Sequence, residues 1–180
     1  AAHAASDLHR RYVVPLPGPD REVDIATIAG IGGVPVDLVE NEHYFDRAAV
    51  YGESDDLLRY QFFCRAVIEM LKHDDWIPDI LHLNDWHTAP LAFALRNLSW
   101  GHPRLRGVAS VFTIHNLAYQ GQFSAQLMHA TGLDHRHFSF DKLEFHGNLC
   151  FMKAGICSGY CRSLCSTGVV QCVDRKDFLT

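Results

Sequence analysis

The sequence predicts an α/β fold built on a parallel sheet, and three observations carry that expectation. Two short apolar runs, Asp79-Ile-Leu-His-Leu83 and Ser110-Val-Phe-Thr-Ile114, have the length and continuity of strands buried on both faces. Segments of helical spacing precede and separate them. Each run ends in a polar loop that carries histidine. In parallel sheets, ligands bind at the carboxyl ends of the strands, so those two loops are where chemistry is expected.

Taken in order, residues 1–20 are polar and Ala-rich and lead to Pro15, Pro17 and Pro19, the pattern of a loop. Residues 22–28 alternate and suggest a strand. Gly30-Ile-Gly-Gly33 breaks the alternation, and residues 34–39 suggest a second strand, giving a hairpin or meander. The glycines lack the spacing of a phosphate-binding loop and are expected to form a plain turn. Residues 41–52 read as a loop. Asp55 and Asp56 then open a helix, placing two carboxylates at its positive end. Trp76-Ile-Pro78 ends it. After the first buried strand and the turn Asn84-Asp-Trp-His87, Thr88 is the expected cap of a helix over 89–97. Residues 104–109 are a loop, the second buried strand follows, and residues 115–121 form the loop at its end. Residues 124–131 and 146–156 look helical.

Composition excludes several classes of function. The chain has 180 residues, 48% hydrophobic and 21% charged, enough for a real core. The net charge is -5 and no basic stripe appears, so nucleic acid is not an expected partner. No apolar run is long enough to span a bilayer, and no basic head with an apolar segment marks a signal peptide, so the chain reads as soluble and not secreted. Six cysteines are present, but five of them crowd into residues 150–172 with only Cys64 before. A disulfide framework would be spread more evenly, so the thiols are read as reduced.

Two constellations stand out. In His82-Leu-Asn-Asp-Trp-His87, imidazole, amide and carboxylate groups gather where a strand opens into a loop. Together they supply the donors and acceptors that sugar hydroxyls need. The plain alternative is a strand-to-helix turn, with Asn84 or Asp85 capping the helix and Trp86 packing beneath. A metal between His82 and His87 is disfavoured by their spacing. In Thr113-Ile-His-Asn-Leu-Ala-Tyr-Gln-Gly121, a His-Asn pair leaves a buried strand. Burying such groups unpaired costs ~1–3 kcal/mol each, so they need partners, either a bound sugar or backbone carbonyls. Spacing leaves both constellations open between these readings.

At this point the residues resemble a known family. Asn84-Asp-Trp-His-Thr-Ala89, followed by Phe112-Thr-Ile-His-Asn-Leu-Ala-Tyr-Gln-Gly121, is similar to the bacterial glycogen synthases and plant starch synthases. Phe45-Asp-Arg47, Val50-Tyr-Gly52, Arg59-Tyr-Gln-Phe-Phe-Cys-Arg-Ala66, Leu143-Glu-Phe-His-Gly147 and Phe151-Met-Lys-Ala-Gly155 resemble further segments of the same family. The resemblance covers about residues 22–156. It implies the Rossmann-like N-terminal domain of a GT-B glycosyltransferase, incomplete at both ends. It implies transfer of glucose from ADP-glucose to the non-reducing end of an α-1,4-glucan with retention, without metal or other cofactor, in a bacterial cytoplasm or plastid stroma. It makes His115 and Asp85 the catalytic residues. Asn116, Tyr119, Gln120, Asn84, His87 and Tyr51 then bind substrate. A non-catalytic glucan- or nucleotide-binding module of the same fold is the alternative.

Three departures qualify the resemblance. The family's Lys-x-Gly-Gly-Leu motif for the donor diphosphate does not occur, and the second Rossmann-like domain is not in this sequence, so this chain alone is expected to be inactive. After Gly155 the match stops. Residues 1–156 are therefore read as the partial catalytic domain and 157–180 as a divergent Cys-rich tail that offers no continuous apolar strand. For Cys157, Cys161 and Cys165 three readings compete: a helical stripe of buried thiols, a metal site, and a shifted reading frame in the coding sequence.

Overall fold

The computed structural model describes residues 8–97, 102–159, 161–166 and 169–172. They form a mixed α/β fold in two compact units, residues Ala1–Met70 and Leu71–Thr180. No helix among the described residues is long and apolar enough to cross a membrane.

The first unit holds an antiparallel sheet of β1 (Leu8–Val14), β2 (Arg21–Ala29) and β3 (Pro35–Glu40), with β2 in the centre. The loop expected over residues 1–20 is corrected in part: residues 8–14 are a strand, while the stretch with Pro15, Pro17 and Pro19 is the loop expected. β1 is apolar mainly at its end, with Val14 fully buried, and the arginines before it are held by charges across the sheet. Arg11 Nε donates to Asp24 at 2.7 Å and Arg10 to Asp37 at 2.6 Å. The Gly30–Gly33 segment is the plain turn expected. Gly30 N–H donates to the Val34 carbonyl at 2.8 Å, closing the β2–β3 hairpin.

Residues 41–52 are a loop except for one helical turn, α1 (Glu42–Phe45), whose start is capped by Asn41 Oδ1 accepting from Tyr44 N–H. Helix α2 (Asp56–His73) begins at the predicted carboxylates. Its first turn carries a buried ion pair, Arg59 Nη1 to Asp56 Oδ1 at 2.7 Å. The same two side chains hold the preceding loop. Arg59 Nε donates to the Tyr44 carbonyl and Asp56 Oδ2 accepts from Gly52 N–H. Below them Tyr44 stacks on Phe62, ring centroids 4.4 Å apart, within a core of Val14, Val23, Ile25 and Ala66.

The second unit carries the predicted parallel strands. β4 (Ile80–Asn84) pairs in parallel with β5 (Ala109–Ile114), with α3 (Asp85–Asn97) between them in the chain. β5 in turn pairs in parallel with β9 (Cys161–Ser166), and β10 (Val169–Cys172) runs antiparallel on the outside. A second sheet is formed by β6 (Gln122–Ser124), β8 (Asn148–Cys150) and β7 (Glu144–Phe145), in that order. Helix α4 (Phe151–Ser158) follows β8 directly and packs on α3. Gly155 is what lets α4 approach β5. A Cβ there would sit 2.7 Å from the ring of fully buried Phe112.

Several expectations are corrected here. Residues 146–150 are a turn and a strand, so the helix begins only at Phe151. Residues 125–131 are 3-10 rather than α-helical, capped by Ser124. α3 starts at Asp85, and Thr88 does not cap it. Thr88 instead donates back to the Asn84 carbonyl at 3.0 Å from inside the first turn. After residue 156 a strand does form, β9, because a ladder partner in β5 stands open to it. The helical stripe of thiols is not formed: Cys157 is in α4, whereas Cys161 and Cys165 are in β9. Residues 173–180 lie outside the described residues.

One buried group makes the second unit sensitive to pH. His137 is buried with its ring edge-on to Phe93, centroids 5.2 Å apart. Burial, aided by Lys142 and Arg136, holds its pKa below the ordinary 6.5. A depressed histidine contributes stability that is present above its unfolded pKa. That contribution is lost as pH falls below about 6.5, where the unfolded chain takes up the proton first. Urea unfolding at pH 7.5 and pH 5 should therefore show a larger loss for the natural chain than for His137→Phe. Equal losses would reject this role for His137.

Candidate functional site

The parallel pairing sets Asn84 opposite Thr113 in register, so β4 and β5 end side by side. Just beyond, Asp85 adopts φ 59°, in the left-handed region. That region disfavours most side chains, and Asp is among the few that enter it. The turn reorients the carboxylate. Rather than capping α3, Asp85 Oδ1 accepts the backbone N–H of His115 at 2.7 Å, from the end of the neighbouring strand. A charged acceptor makes this a strong bond. The capping alternative is thus overturned for Asp85.

Asn84 completes the link. Its Oδ1 lies 3.0 Å from His115 Nε2. The last residue of β4 and the first of α3 therefore hold both the imidazole and the backbone of the residue that follows β5. Asn84 and His115 are exposed and Asp85 is partly so, which leaves the assembly open to a ligand. One layer inward, His82 Nε2 meets Thr113 Oγ1 at 2.8 Å, tying the strands together.

The rest of the loop is shaped by its own contacts. Asn116 Oδ1 accepts from Ala118 N–H at 2.9 Å, and Gln120 Nε2 donates to the Leu117 carbonyl. Both side chains thus support the loop backbone. Tyr119 is exposed at its crest. Gly121, at φ 59°, lies against Trp86. Trp86 is buried beneath the turn as the plain alternative held, edge-on to Phe123, and His87 stacks on its face. Tyr51 is exposed and belongs to the first unit.

Sequence reasoning missed what fastens the loop's far end. The first N–H groups of a helix have no partner within it. Those of Phe151 and Met152, at the start of α4, donate to the carbonyls of Gly121 and Gln120 at 3.0 and 3.1 Å. Cys150 caps the same helix through its sulfur, which accepts from Lys153 N–H, and its thiol also reaches the Gln120 carbonyl. Burial pushes the Cys150 thiol up from its ordinary pKa, keeping it protonated and inert.

The starch synthase catalytic domain, as a family model, matches residues 2–168. The chain belongs to that family. It is 41% identical over 136 residues to a glycogen synthase of Desulforudis audaxviator, covering 76% of this chain and 27% of that protein. With a glycogen synthase of Moorella thermoacetica it shares 41% identity over 129 residues, 72% of this chain and 26% of the other. Its fold is similar to the catalytic domain of starch synthase IV from Arabidopsis thaliana, bound to ADP and acarbose. The TM-score there is 0.77 and the identity 28%, over 88% of this chain and 33% of that one. The mixed α/β architecture is thus that of a GT-B glycosyltransferase catalytic domain. The chain spans about a quarter of the length of these two glycogen synthases.

Proposed function

We propose that this chain supplies the glucosyl-binding strand ends of a glucosyltransferase. The enzyme moves glucose from ADP-glucose to the non-reducing end of an α-1,4-glucan, with retention. The observation that carries the reading is the bridge from Asn84 and Asp85 to His115. It fixes a set of dipoles at the carboxyl ends of two parallel strands, where such folds bind ligands. Charge grows at the anomeric carbon and on the leaving diphosphate as the bond breaks. Dipoles held still before the reaction stabilise that charge without reorganising. His115 and Asp85 are assigned to this step. Asn116 and Gln120 shape the loop, and Tyr119, exposed at its crest, is assigned to substrate binding. Tyr51 and His87 are retained as substrate-binding residues on the resemblance alone. The family likeness to a starch synthase solved with ADP and acarbose supports a nucleotide and a glucan as the two ligands. No metal or other cofactor is proposed, on the reading that cationic side chains of a complete enzyme neutralise the diphosphate. A bacterial cytoplasm is the compartment proposed, with a plastid stroma as the second.

A segment graft tests the reading. Residues 2–168 should replace the homologous segment of the Desulforudis audaxviator glycogen synthase and give a folded hybrid. That hybrid should transfer labelled glucose from ADP-glucose to maltooligosaccharide at ordinary enzymatic rates, ~1–10³ per second. A hybrid with native circular dichroism that binds maltooligosaccharide yet transfers nothing would instead favour the non-catalytic module.

A further inference from the structure

We propose that Asn84 is a positioning residue, one that fixes the tautomer and orientation of the His115 ring. This rests on the reading of His115 as a substrate-facing group. The carboxamide oxygen of Asn84 is 3.0 Å from His115 Nε2. A carbonyl oxygen only accepts, so Nε2 carries the proton in the neutral ring. The other ring nitrogen, Nδ1, then keeps its lone pair, and no group among the described residues engages it. The ring is thereby an acceptor at Nδ1, suited to a hydroxyl donor.

The rest of the geometry makes this orientation specific. The backbone of His115 is tied to Asp85, so the ring can turn only about its own side-chain bonds. Asn84 removes that remaining freedom. Its own backbone is fixed on both sides, by the β4–β5 ladder at Thr113 and by Thr88 donating to its carbonyl. The carboxamide of Asn84 therefore works through His115, where a strand-end amide would otherwise be read as a sugar contact. The general rule is that the bond made by one imidazole nitrogen decides what the other can do.

The test is spectroscopic and kinetic together. In the 180-residue chain labelled with ¹⁵N, long-range ring correlations of His115 should show the Nε2–H tautomer at pH 8. Asn84→Leu should give a mixture of tautomers, and Asn84→Asp, which keeps an acceptor oxygen in place, should restore Nε2–H. In the active hybrid, Asn84→Leu should lower kcat by about 10-fold, the worth of one well-placed hydrogen bond. KM for ADP-glucose should move by less than about 2-fold, because ring orientation matters most where charge develops. Asn84→Asp should recover most of kcat. A natural chain with the proton on Nδ1 would overturn the proposal. So would an Asn84→Leu variant with unchanged tautomer and kcat. Should the hybrid itself transfer no glucose, the functional reading fails, while the ring spectra still decide the role of Asn84.

Discussion

His115→Ala, introduced into the active hybrid, lowers kcat by about 10²–10³-fold and leaves KM for ADP-glucose nearly unchanged. The magnitude is that of removing one preorganised group from a site where charge develops in the transition state. The pattern follows from the geometry. His115 is exposed at the end of β5, so its truncation leaves no cavity in the core. Its backbone N–H still donates to Asp85, so the loop keeps its anchor. What disappears is the ring, together with the Asn84 contact that aims it. An interaction made mainly in the transition state lowers kcat and kcat/KM together. Steady-state kinetics beside a urea unfolding curve decide the matter. A variant with full kcat and a lowered unfolding midpoint would show that the ring serves the fold alone.

How far the sequence reveals this arrangement depends on the range of the forces involved. The strands β4 and β5 are legible from their short apolar runs, a purely local signature, but burial on both faces is approached only by β5: in β4 Leu83 is buried while Ile80 and His82 are exposed. Helix α2 is legible from its spacing and from the acidic residues at its start. The loops that end β4 and β5 are legible as sites because polar groups there interrupt an apolar pattern. Strand β1 is less so, since its apolar residues lie mainly at its end and Arg11 acquires meaning only opposite Asp24, with Arg10 reaching across β2 to Asp37. Strand β9 is hidden for the same reason: its partner β5 lies some 50 residues away in sequence, and no local pattern announces the ladder. The role of Asp85 was legible in kind and not in direction. A short acidic residue before a helix reads as a cap, and only its left-handed backbone turns the carboxylate toward a residue 30 positions on.

Gly121→Val should be strongly disruptive in the second unit, lowering stability by about 2–5 kcal/mol and abolishing transfer with it. Two separable costs act at this position. The first is conformational: φ is 59°, where a β-branched side chain is strained by of order 1–2 kcal/mol. The second is steric. A Cβ would lie 2.4 Å from Cε3 of Trp86 and 2.7 Å from its Cδ2. That ring has nowhere to go, being buried beneath the turn with Phe123 at its edge. Forcing atoms into a packed site adds typically ~1–3 kcal/mol. Relief would require the loop to lift, and the loop is pinned at this point by the Phe151 N–H on the Gly121 carbonyl. Lifting it would move the Tyr119 crest and break the start of α4 together. Gly147 provides the control. Its φ is 78°, yet a Cβ there would meet nothing within 4 Å. Gly147→Val therefore bears the conformational cost alone and should lose only about 1–2 kcal/mol. Urea unfolding midpoints for the two variants measure the difference directly. If both lose the same amount, Trp86 is not the obstacle, and the close packing of the loop on the turn is not what holds the two strand ends in place.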